Sequence, residues 1–126
     1  MPRFALPFLA LAALMSGGAA PAGDEALHVV ALDPVTVPIV DGPRADGSLR
    51  FTALVQAADD AAAERLGARL PTLRAAALAA GSEFGRLHAS RWVAVDAARL
   101  SSDLGTALKR AEPGVTGVLL LEVYAG

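Results

Sequence analysis

The chain carries two histidines, His28 and His88, sixty positions apart. A protein metal site gathers three or four ligands, commonly at short local spacing, and neither histidine has a ligand-type residue three or four places further on. His28 is expected to be an exposed residue at the start of the fold. His88 follows Glu83 by five residues, and Ser82 stands next to that glutamate. A serine nucleophile needs a base and a group that orients the base. In Gly81-Ser82-Glu83-Phe84-Gly85 the serine falls one place short of the G-x-S-x-G elbow, so the segment reads as a helix cap and loop. Ser101-Ser102 falls within a predicted helix and reads as solvated surface. Two carboxylate pairs occur, Asp24-Glu25 and Asp59-Asp60. The second sits where a helix begins, and capping accounts for it. The glycines are scattered and form no phosphate loop. Cysteine is absent, which removes thiolate ligands, disulfides and a thiol nucleophile. No catalytic, cofactor-binding or metal-ligating residue is assigned, no cofactor is expected, and the chain is expected not to be an enzyme. Four arginines, Arg65, Arg69, Arg86 and Arg91, are candidates for an interaction surface. The competing reading is ordinary solvated arginine.

Composition narrows the partners. The 126 residues carry 11 basic and 13 acidic side chains, a net charge of -2 and a pI of about 5.6, so no electrostatic footprint for nucleic acid is present. Alanine contributes 29 residues, and ten of the 11 basic residues are arginine, with Lys109 the exception. That bias reflects a GC-rich genome before it reflects function. The length suits one domain.

The first 22 residues stand apart. Arg3 precedes a 12-residue apolar run at 4–15 (FALPFLALAALM), and small residues at 16–22 (SGGAAPA) precede Asp24 and Glu25. This is the order of a secretory signal peptide. A retained short anchor is the alternative, because residues 4–23 carry no charge and a span needs about 20 apolar residues. Both readings export residues 23–126 as a single periplasmic domain, tethered to the inner membrane only if the segment is kept.

Within that domain, Val35, Val37 and Ile39 alternate with polar positions or proline, a pattern suited to a pleated strand. Pro38 cannot donate to a ladder, so this strand is predicted to be an edge or bulged. Residues 41–47 (DGPRADG) read as a loop of about seven residues. The second arm is residues 48–57, where Leu49, Phe51, Ala53 and Val55 share one face, completing a hairpin. Asp59 and Asp60 open a helix whose stripe is Leu66, Leu70, Leu73 and Ala77. Pro71 predicts a kink near 67–71, and Gly81 is the expected C-terminal stop. Residues 92–95 read either as a short strand or as the lead-in to the next helix. Asp96 caps that helix, with Leu100, Leu104, Ala107 and Leu108 on its apolar face. Lys109 and Arg110 meet its negative end, and Pro113-Gly114 ends it.

Residues 115–124 (VTGVLLLEVY) read as the last strand. The run 118–121 is apolar on both faces, which predicts a central position. Glu122 is left between two placements, facing solvent or pairing with Arg50. Leu70 and Leu104 are expected to meet the buried face of the sheet. The fold class is α+β: an antiparallel sheet of three to four strands with two helices on one face, in the order β-β-α-(β)-α-β.

The order of these features resembles a known family. Leu32-Asp33-Pro34-Val35-Thr36-Val37 opens the domain and a polar turn leads to the strand at 47–56. The acidic start Asp59-Asp60, the mid-helix Leu70-Pro71-Thr72-Leu73-Arg74, the Leu-spaced helix at 100–108 and the closing strand at 115–124 follow. Together, over about residues 28–126, they resemble the periplasmic domain of the FliL family of flagellar basal-body-associated proteins. The resemblance implies a stomatin-like (SPFH-like) fold, assembly into homo-oligomers or rings, and association with inner-membrane stator proteins without catalysis. The alternative carried beside it is a small soluble periplasmic binding or chaperone-like module, unrelated to motility, that uses the sheet face opposite the helices.

Overall fold

The alternation that marks the hairpin organises the sheet. In the computed structural model, which describes residues 28–126, β1 (Val29–Ala31) and β2 (Val35–Asp41) both pair antiparallel with β3 (Arg44–Ala57). They occupy the same edge of β3 in succession, as one strand interrupted at 32–34. The interruption has a local cause. Pro34 has no N–H to donate, yet Leu32 still donates to the Ala53 carbonyl at 3.1 Å, so the ladder breaks only briefly. Arg74 reaches back to the carbonyls of Asp33 and Pro34, at 3.2 and 3.4 Å. The signal-peptide assignment for residues 1–22 and the pair Asp24-Glu25 lie outside the described residues.

The hairpin is present, but its loop is shorter than the sequence suggests. Asp41 pairs with Arg44, leaving Gly42 and Pro43 as a two-residue connection. Gly42 has φ +62°, the glycine-first pattern of a type II′ turn. The Asp-Gly step at 46–47 is absorbed into β3. As expected from Pro38, β2 is both an edge strand and irregular, with a register shift between Pro38 and Val40.

The last strand corrects the sequence reading. β4 (Val115–Ala125) pairs only with β3, on the side opposite β1 and β2, and so forms an edge. Its apolar run is not buried on both faces: Val118 is buried, while Leu119 and Leu121 are exposed. A second irregularity falls between the pairs Thr52–Glu122 and Ala53–Leu120, making Leu121 an extra residue in β4.

Among the described residues three helices cover one face of the sheet, not two. Pro71 does not kink a single helix; it separates α1 (Asp60–Gly67) from α2 (Leu70–Leu87) and occupies the first turn of the latter, where its missing N–H is harmless. α2 also runs past Gly81 to Leu87. Its buried stripe is Leu73, Ala77, Gly81, Phe84 and Gly85. The two glycines let the helix approach β2 and β3. A Cβ at Gly81 would stand 2.8 Å from the Phe51 ring, and one at Gly85 would stand 2.6 Å from the Pro38 carbonyl oxygen. Leu70, expected in the core, lies at the helix start and is 36% exposed, so the phase of the stripe is set by Leu73.

Residues 92–95 form no strand; they lie in the loop leading to α3 (Ala97–Ala111). Both predicted caps form. Asp59 accepts from the Ala62 amide at 2.8 Å, and Asp96 from the Arg99 amide at 3.1 Å. Leu100, Leu104 and Leu108 are fully buried beneath α3. The observed order is therefore β-β-β-α-α-α-β, an α+β fold with a four-stranded antiparallel sheet.

Candidate interaction surface

With the helices on one side, the alternation of the strands leaves the other side of the sheet bare among the described residues. The core side takes Val35, Val37, Ile39, Leu49, Phe51, Ala53, Val55, Val115 and Val118, and no polar residue is buried among the described residues. The bare side is read across the strands from the register. Ala31, Leu54 and Leu119 form one row, and Thr36, Arg50 and Tyr124 another. Thr52 and Glu122 lie between them, and Val29, Gln56 and Gly117 lie at the far end. Gln56 lies over Gly117, its Oε1 2.5 Å from where a Cβ would be, too close for any side chain at 117 without a shift of Gln56.

Leu119, Leu121 and Tyr124 are 40, 61 and 64% exposed, a concentration of apolar side chains on a strand whose core-facing partners are already packed. Single exposed apolar residues are ordinary; on the bare side two of them, Leu119 and Tyr124, flank Glu122 in the register. Glu122 stands exposed opposite Thr52. It and Arg50 are on diagonal positions, and neither takes part in an ion pair among the described residues.

The free edge of β4 is partly covered. Ser48 and Gly126 exchange both backbone hydrogen bonds, at 3.1 and 3.0 Å. By the alternation of an antiparallel ladder, Glu122 and Tyr124 also turn their backbone groups toward β3, and Val123 and Ala125 turn theirs outward. Further along, the Ser101 hydroxyl of α3 donates to the Val118 carbonyl at 3.2 Å. Beside the open stretch, Val93, Ala94, Val95 and Ala97 line a depression of about 370 Å³ with Val123, Tyr124 and Ala125.

The four arginines proposed from sequence do not form one patch. Arg65 and Arg69 border a depression of about 450 Å³ between α1 and the Pro113-Gly114 turn, and Arg69 is held by Glu112 at 3.0 Å. Arg86 pairs with Glu83 at 2.6 Å. Arg91 pairs with Asp46 at 3.3 Å and stacks over Trp92, 4.8 Å from its centroid. Three of the four thus have acidic partners. Trp92 and Val93, 77 and 67% exposed, were not singled out from the sequence as surface features.

The residues weighed for chemistry are also separated. His28 is half-buried, with Nδ1 2.8 Å from the Asp60 carboxylate. His88 ends α2 and packs its ring 5.6 Å from Phe84. Ser82 and Glu83 are exposed within α2, not in a loop, and Glu83 is engaged by Arg86. Among the described residues no group of three or more His, Cys, Asp and Glu side chains could hold a metal, and no helix is long and apolar enough to cross a membrane. Compared with known proteins, the chain matches no family model and no curated sequence.

Proposed function

We propose that this chain is an exported, non-enzymatic protein of the FliL type. In this reading it assembles with itself and docks beside inner-membrane stator or basal-body proteins. The observation that carries the interaction part is the bare side of the sheet, where Leu119 and Tyr124 stand exposed over a core that is filled from the other side. The link to motility, and the stomatin-like classification with it, rests on the motif order from Leu32-Asp33-Pro34 to the closing strand. Export rests on the segment at 1–22.

Deletion of the gene in the native host, with fractionation of its inner membrane, tests this. The expected result is a reduced swimming halo and recovery of the chain with stator proteins after cross-linking. Unchanged swimming, with the chain absent from every membrane complex, would exclude the motility role. One observation favours the second reading, a small periplasmic binding module. Ala31, Leu32, Leu70 and Pro71 line an apolar depression of about 280 Å³ between α2 and the β1–β2 break, with Arg74 and Asp33 at its margin.

A further inference from the structure

The bare sheet face is self-complementary in charge. Apart from the hairpin end, where Asp41 faces Arg44 and Asp46 binds Arg91, the strands carry one basic and one acidic residue, Arg50 and Glu122. Both lie on the bare side and are exposed. Neither has an ion-pair partner among the described residues. From these observations we propose that the occupant of this face is a second copy of the chain, packed sheet against sheet about a two-fold axis passing between Arg50 and Glu122.

A two-fold axis makes the contact isologous, so the pairing of one residue with another is repeated in reverse. Arg50 of each copy then meets Glu122 of the other, giving two ion pairs from one charge of each sign. Packed sheets lie about 10 Å apart, a gap that an extended arginine and a glutamate bridge from opposite sides. Tyr124, beside Arg50 in the register, falls close to the axis, and Leu54 and Leu119 flank it. The three helices among the described residues pack on the other face and leave this side open to the arrangement. Edge-to-edge pairing through β4 is less favourable. Ser101 already occupies the Val118 carbonyl, and the extra residue Leu121 interrupts the strand.

Strands about 4.8 Å apart make the face narrow, and one arginine and one glutamate supply its charged contacts. The dimer is therefore weak and concentration-dependent. This inference rests on the interaction role proposed above, and it names the partner at that surface.

Sedimentation equilibrium of the full chain tests it. A monomer–dimer equilibrium is expected at concentrations up to about 1 mM, in the range of weak association. Arg50→Glu sets glutamate against Glu122 of the partner subunit, and Glu122→Arg sets arginine against Arg50 of the partner subunit. Each should weaken dimerisation about tenfold or more, since like charges are brought together. Mixing the two variants in equal amounts should restore dimers, because each then supplies the charge that the other needs. An interaction within one chain could not be restored by mixing. Circular dichroism of both variants should match the parent, as both side chains are exposed.

A chain that stays monomeric throughout the range would overturn the proposal. So would dimers indifferent to both reversals, or variants that do not recover on mixing. A chain that stays monomeric would also remove the self-assembly part of the proposed function, whereas dimers indifferent to the reversals would remove only this interface; docking beside a membrane complex is tested separately by cross-linking.

Discussion

At the scale of the residue, two glycines decide how closely α2 approaches the sheet. Gly85→Ala would place a methyl group 2.6 Å from the Pro38 carbonyl oxygen, a backbone atom that cannot rotate away. The substitution should cost about 1–3 kcal/mol, as overpacking does. Gly105, in α3, has nothing within 4 Å of its would-be Cβ. Gly105→Ala should stabilise by about 0.4–1 kcal/mol, by restricting the unfolded chain. Urea unfolding of both variants gives the two signs; destabilisation of similar size at both would mean that contact with Pro38 is not the cause. Truncation draws a parallel contrast. Leu104 is fully buried and Leu70 is 36% exposed, so Leu104→Ala should cost about 2–5 kcal/mol and Leu70→Ala well under half of that. The spacing Leu66, Leu70, Leu73, Ala77 was visible in the sequence, and Leu66, Leu73 and Ala77 are indeed buried. Leu70 fell out because Pro71 begins a new helix, which resets the phase. Gly81 and Gly85 were hidden for a different reason: a glycine used for close approach looks the same in sequence as one used to stop a helix.

At the scale of the element, local chemistry was the most legible. The caps at Asp59 and Asp96, the hairpin, the edge character imposed by Pro38 and the cations at the end of α3 all follow from neighbours within a few residues. Asp96→Ala should cost about 1 kcal/mol, the usual loss for an N-cap. Asp103→Ala removes only an exposed partner of Arg99, 3.9 Å away, and should change stability by less than about 0.5 kcal/mol. The difference is measured by the midpoints of urea unfolding, and equal shifts would show that the Arg99 amide does not depend on its cap. The position of β4 was not legible. An apolar run alternates no polar residues, so it reads as buried on both faces, whether the outer face is covered or bare. The candidate surface shares that ambiguity: two of the four candidate arginines are neutralised by neighbours distant in sequence, Glu112 for Arg69 and Asp46 for Arg91. The surface that remains is built from four strands, and only the register brings Ala31, Leu54 and Leu119 into line.

At the scale of the whole molecule, β3 is the strand paired on both sides along most of its length, and its apolar face meets the packed helices. Amides there open only with most of the fold, so hydrogen exchange should be slowest in β3. β4 should show an alternation instead. The amides of Glu122 and Tyr124 face β3 and should be protected. Those of Val123 and Ala125 face the open edge and should exchange fast in the monomer. This pattern also separates two modes of assembly. Packing through the bare face leaves the edge open, so the amides of Val123 and Ala125 should stay fast as concentration rises, even when the dimer is populated. Edge-to-edge pairing would instead draw them into a new ladder and slow their exchange with concentration. Exchange followed by nuclear magnetic resonance at low and high protein concentration resolves single amides and reads both cases. Slowing confined to Val123 and Ala125 at high concentration would assign assembly to the edge of β4 and remove the sheet-to-sheet dimer. Unchanged edge amides, together with shifted resonances at Arg50, Leu54 and Leu119, are the outcome that packing through the bare face requires.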